Sequence, residues 1–87
     1  MKARPNLNGN TRQDFVDVYS TLFLASSALE EASSLLASNV LHSRNYTHID
    51  GGDVACIADR HRIFGEVQKC REILTVISIE IVDAIES

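Results

Sequence analysis

The chain has 87 residues, eight lysines and arginines against twelve acids (a formal net charge of −4), and two cysteines. That length holds one domain with a limited core, so stability has to come from tight packing, a covalent or metal staple, or a partner. Two cysteines make no disulfide framework and suit a reducing compartment, and the mild acidity lacks the broad basic surface of most nucleic-acid binders.

Residues 1–12 read as a flexible basic arm. Lys2, Arg4 and Arg12 sit among Pro5, Asn6, Asn8, Gly9 and Asn10, and no apolar periodicity has begun. The polar run after Arg4 stands where a secretory signal would need an apolar stretch. The longest uncharged runs, Val18–Leu29 and Ala32–Ser43, are too short to span a bilayer. The expectation is a cytoplasmic protein without a membrane segment.

A single helical domain is expected over 13–87. Its first helix, about 13–43, repeats Phe15, Leu22, Leu29 and Leu36 at one heptad position, with Val18, Ala25, Ala32 and Asn39 at the other. Asp14 and Asp17 suit the positive end of such a helix. Alanines along the seam imply a close neighbour.

Residues 44–52 read as the connecting loop. The stretch His48–Arg62 concentrates two histidines, Cys56, three aspartates and the Gly51-Gly52 pair, and raises the question of a site. Cys56, Cys70, His48 and His61 are ligand types that zinc accepts, but no paired metal-ligand spacing occurs. Along a helix Cys56 and His61 point to different faces, and Cys56 and Cys70 lie about 21 Å apart. A thiol–imidazole catalytic pair lacks any marked oxyanion hole, and the Gly-Gly pair is not followed by the Gly-Lys-Ser/Thr of a phosphate loop. The reading is therefore of a helix start: glycines for the turn, Asp50 or Asp53 to cap, and Asp59, Arg62 and Glu66 lacing the exposed face. No cofactor, metal or catalytic residue is expected.

The second helix is expected over about 53–86, with a seam of Ile63, Val67, Cys70, Leu74, Ile77, Ile81 and Ala84. Gly65 is where this helix is open to a kink or a split, which would give a three-helix monomer instead. Residues 75–83, rich in Ile and Val, also alternate as a strand would. Helix is preferred because the seam runs through them in phase and no second strand offers pairing.

The fold class that follows is all-α: a long antiparallel helical hairpin. Phe23, Leu24, Ile73, Ile79, Val82 and Ile85 widen the apolar stripes beyond what a hairpin alone covers. A homodimer forming a four-helix bundle is the simplest cover, with Phe15, Leu22, Leu29, Leu36, Ile63, Val67, Leu74, Ile77 and Ile81 as its seam.

The functional expectation is a small acidic, non-enzymatic interaction or regulatory module that self-associates through amphipathic helices. The alternative is a small inhibitor or antagonist that presents its apolar stripe to a macromolecular target. Arg60, Arg62, Lys69 and Arg71 cluster positive charge on the second helix, either to pair with the acids of the first or to dock an acidic protein partner. Direct nucleic-acid binding is not expected.

Overall fold

The computed structural model describes residues 1–5 and 9–86. Among them there is no strand. Helix α1 spans Gly9–Leu35, and its last turn, Leu36–Val40, widens into a π-helix. A 3-10 turn, Ser43–Asn45, interrupts the loop, and helix α2 runs from Gly52 to Glu86.

The two helices lie side by side and antiparallel. Arg12 near the start of α1 donates from Nη1 to the Ile85 carbonyl at 3.2 Å, and Arg71 meets Glu30 near mid-length at 3.7 Å. Cys56 meets Leu41 at the far end. The molecule is a rod of 62 × 19 × 12 Å, one helix thick. No described helix is long and apolar enough to cross a membrane.

Helix α1 starts at Gly9, about a turn ahead of the boundary expected from periodicity. Asp14 and Asp17 therefore lie beyond the first turn, which contains no acid. The arm proper is shorter than residues 1–12, and residues 6–8 lie outside the described ones. The Met1 ammonium donates to Glu80 Oε1 at 3.1 Å, so the start of the arm returns along the end of α2.

Helix α2 passes Gly65 without interruption and continues through 75–83, so neither the split at Gly65 nor the strand reading holds. Within α2, hydroxyl side chains fold back onto the preceding turn. Thr75 Oγ1 donates to the Arg71 carbonyl at 2.9 Å, and Ser78 Oγ to the Leu74 carbonyl at 2.8 Å. A hydroxyl folded back on its own helix loses little by being covered.

That back-bonding also shapes the seam. On α1, Phe15, Leu22, Leu29 and Leu36 are half-buried against α2, as their heptad position implies. The alternate position falls to Ser26 and Ser33, not to Val18, Ala25 and Asn39, which are exposed; only Ala32 of that set is half-buried. Ser33 Oγ bonds the Leu29 carbonyl at 3.1 Å.

On α2, Ile63, Val67, Leu74, Ile81 and Ala84 are covered, but Cys70 and Ile77 turn outward, and Arg71 and Ser78 take the adjoining positions. Cys70, Ile77 and Ala84 share one heptad position at the edge of the contact line, and it is covered only at the end of α2, where the start of the arm returns. The residues expected to form an intermolecular seam thus lie mostly between the two helices of one chain.

The tip is the best-covered part of the molecule. In the π turn the Leu41 amide bonds the Leu36 carbonyl at 2.7 Å, one residue farther than in an α-helix. The extra residue leaves Val40 54% exposed and brings Leu41 in, to 2%. There Cys56, 4% exposed, donates its thiol to the Leu41 carbonyl at 3.7 Å. The unpaired carbonyls at the end of the helix are taken by side chains: Arg44 Nη2 bonds Ser38 at 3.0 Å, and Asn45 Nδ2 bonds Asn39 at 3.0 Å and Val40 at 2.8 Å.

The adjoining glycines do different work. Gly51 sits at φ 71°, a left-handed conformation that side-chain-bearing residues resist. A Cβ at Gly52 would strike the Tyr46 carbonyl, so α2 can start this close to the loop only without one. Gly65 has open space around it.

Two alanine substitutions should therefore move stability in opposite directions. Gly65→Ala is expected to stabilise the chain by ~1 kcal/mol, the helix-propensity gain. Gly52→Ala is expected to destabilise it by about 1–3 kcal/mol, the scale of overpacking. Urea unfolding followed by helical circular dichroism measures both.

Candidate interaction surface

Four arginine and lysine side chains form the basic half of α2, and each meets a group of its own chain. Arg62 reaches Asp59 at 3.8 Å and Lys69 reaches Glu66 at 3.4 Å, both one helical turn away. Arg71 crosses to Glu30 of α1 at 3.7 Å. Such exposed, loosely spaced pairs contribute about 0–1 kcal/mol each.

Arg60 lies on the seam line where a buried acid would be its natural partner. Its guanidinium stands 5.8 Å from the centroid of the Phe64 ring instead, within cation–π range. Arg62 pairs back to Asp59 rather than forward to Glu66, which Lys69 takes.

Beside His48–Arg62, the loop is held by polar contacts within its own chain. Tyr46 Oη donates to Asp59 Oδ2 at 2.8 Å, tying the loop to the second turn of α2. This hydrogen bond raises the Tyr46 phenol above its ordinary value of 10.0, and desolvation adds to the effect. His42 Nδ1 accepts from the Arg44 amide at 3.2 Å and starts the 3-10 turn. His48 and His61 are exposed, Cys56 is buried at the tip and Cys70 is exposed half-way along α2. Among the described residues, no three of His, Cys, Asp and Glu come together as a metal ion would require.

A groove of about 300 Å³ runs along the open half of the rod. Tyr19, Leu22, Phe23 and Ser26 of α1 form one wall, and Leu74, Thr75, Ser78, Ile79, Val82 and Asp83 of α2 form the other. Phe23 is 63% exposed on its rim, with Ile79 beside the opposite wall at 56%. Tyr19 was not singled out from the sequence. Its phenol lies one turn from Phe23, and that i, i+4 aromatic spacing was the available signal.

The reverse side of the rod is also apolar. Ile73, Val76 and Ile77 line a shallower depression with Lys69 and Glu72. Ala25 and Ala28 of α1 lie level with them, given 100° per residue and the Glu30–Arg71 register. No known protein family, characterised protein or solved structure matches the chain.

The Tyr46–Asp59 link gives a pH signature. A raised phenol pKa means the folded state holds the neutral phenol more firmly. This contribution is full below the ordinary value of 10.0 and is lost as pH rises through the elevated folded value. Asp59→Asn should bring the Tyr46 titration back toward the ordinary value, as read by ultraviolet absorbance against a Tyr46→Phe control.

Proposed function

We propose that this chain is a non-enzymatic interaction module whose hairpin self-associates into a four-helix bundle dimer. One observation carries the reading: the amount of surface a single copy leaves open. The chain exposes 6424 Å², whereas a compact monomer of its 9.6 kDa mass exposes about 5,100 Å². The excess is roughly 1,300 Å².

The shape agrees. The radius of gyration is 18.9 Å, against about 12 Å for a compact domain of this length.

The core tells the same story from inside. Leu41, Cys56, Ile81 and Ala84 are the buried apolar residues among those described, and none of the large side chains is fully enclosed. Two buried residues at the tip and two at the open end cannot offset the conformational entropy of two helices this long, at about 1–2 kcal/mol per ordered backbone. A second layer of helices on the groove side would cover the exposed Phe23 and Ile79. Each large side chain so covered contributes on the order of 1.5–3 kcal/mol.

In this reading the charged outer faces and the basic arm, with Lys2 and Arg4 exposed, are what remains for a further macromolecular partner. An inhibitor that is monomeric alone would use the same apolar groove on its target. The mass in solution separates the two. Light scattering after size exclusion, across a wide concentration range, is expected to give twice the 9.6 kDa chain mass. A single-chain mass throughout, with strong binding of an apolar dye, would overturn self-association and favour the inhibitor.

A further inference from the structure

We infer that the second copy seats on the groove face, about a two-fold axis parallel to the length of the rod. This rests on the self-association reading above and names its face and its geometry.

The rod has two broad faces, and the contacts sort residues between them. Glu30 and Arg71 pair across one face, which also holds the groove with Tyr19, Phe23, Ile79 and Val82. The other face carries Ala25 and Ala28 of α1 with Cys70, Ile73 and Ile77 of α2. The open end of that second face is already engaged by the chain itself, because the Met1 ammonium is bound to Glu80 there. Among the described residues, nothing covers the groove face in this way along its open half, where Phe23 is 63% exposed.

Area sets the occupant. A standard stable interface takes about 800 Å² from each partner, and the roughly 1,300 Å² excess of one copy, spread over both faces and the ends, is of that order. A two-fold axis makes the same patch serve both copies.

With the axis along the rod, α1 of one copy lies over α2 of the other at the same level. The level is known from the hairpin's own register, where Glu30 stands opposite Arg71 and Arg12 opposite Ile85. Tyr19 then comes down beside Val82 of the other copy, and Phe23 beside its Ile79. Aromatic side chains from one wall meet aliphatic ones from the other, the kind of anchor that dominates interface energetics.

Charge favours the same face. Arg12 and Glu30 are five helical turns apart and share a flank of α1. The two-fold operation sets Arg12 level with Glu86 of the other copy, and Glu30 level with its Arg71, opposite signs in both places. On the reverse face it would set Asp14 and Asp17 near Glu80 of the other copy, acid toward acid. Like-charge juxtaposition of this kind suppresses the wrong arrangement.

The experiment compares the dimer dissociation constant of the full chain with those of Phe23→Lys and Ile73→Lys, by sedimentation equilibrium. Both positions are exposed within a single hairpin, and helical circular dichroism verifies that each variant folds. Phe23→Lys is expected to weaken the dimer roughly 30-fold or more, the scale of an aromatic hot spot, and Ile73→Lys by less than about 3-fold.

Cys70 is a native reporter of the reverse face: its reaction with a thiol reagent should be as fast in the dimer as in the dilute monomer. The axis is read in a Cys70→Ser background. A Phe23→Cys chain mixed with an Ile79→Cys chain should form the mixed disulfide-linked dimer, and Phe23→Cys alone should not. Disruption by Ile73→Lys together with protection of Cys70 would overturn the groove face while leaving self-association standing. Efficient cross-linking of Phe23→Cys alone would overturn the axis. A chain that stays monomeric at every concentration would overturn both readings and leave the groove to another protein.

Discussion

Two helices packed side by side can cover only one stripe on each other, and everything distinctive about this molecule follows from that. The rod is 12 Å thick, the width of one helix. Every residue off the contact line is therefore a surface residue, however apolar. Phe23, Leu24, Ile73, Val76 and Ile79 are all exposed for this reason and not through any local irregularity. The chain has an average share of apolar residues, 45%, but a single layer offers no interior in which to place them.

Where the fold does enclose something, it does so at its ends. At the tip, a widened last turn of α1 rotates Leu41 inward, Cys56 closes over its carbonyl, and Tyr46 clasps Asp59. Side chains from the loop itself, Arg44 and Asn45, satisfy the carbonyls that the helix end leaves open. At the other end Ile81 and Ala84 are covered beside the returning arm. Between them the helices touch through half-buried leucines, serines and an arginine. The covered ends leave the middle as the most open part of the molecule.

The charges are arranged in keeping with this. The basic side chains of α2 are engaged by acids of the same helix, by Glu30 across the seam, or by an aromatic ring. They lace the surface and do not form one convergent cationic patch. A binding role for Arg60, Arg62, Lys69 or Arg71 would have to compete with these neighbours, though only weakly, since exposed pairs of this kind contribute little. Among the described residues, the apolar groove has no such internal competitor.

Much of the architecture was legible in the residues alone. The recurrence of Phe15, Leu22, Leu29 and Leu36, and the phase carried from Ile63 through Ile81, determine two long helices. The Gly51-Gly52 pair marks the turn between them. Periodicity works here because the backbone of a helix satisfies itself, so the pattern needs no partner to be read.

The tertiary structure alone decided three things. Ser26, Ser33 and Ser78 occupy seam positions, because a serine beside a leucine looks polar until its hydroxyl is seen bonding its own helix, as Ser33 and Ser78 do. Ile77 and Cys70 turn outward, because the heptad position they share with Ala84 lies at the edge of the contact line and is covered only at the end of α2, beside the returning arm. The groove beside Tyr19 and Phe23 depends on which flanks of the two helices come together. That choice is made by contacts between residues some fifty positions apart, which no local pattern records.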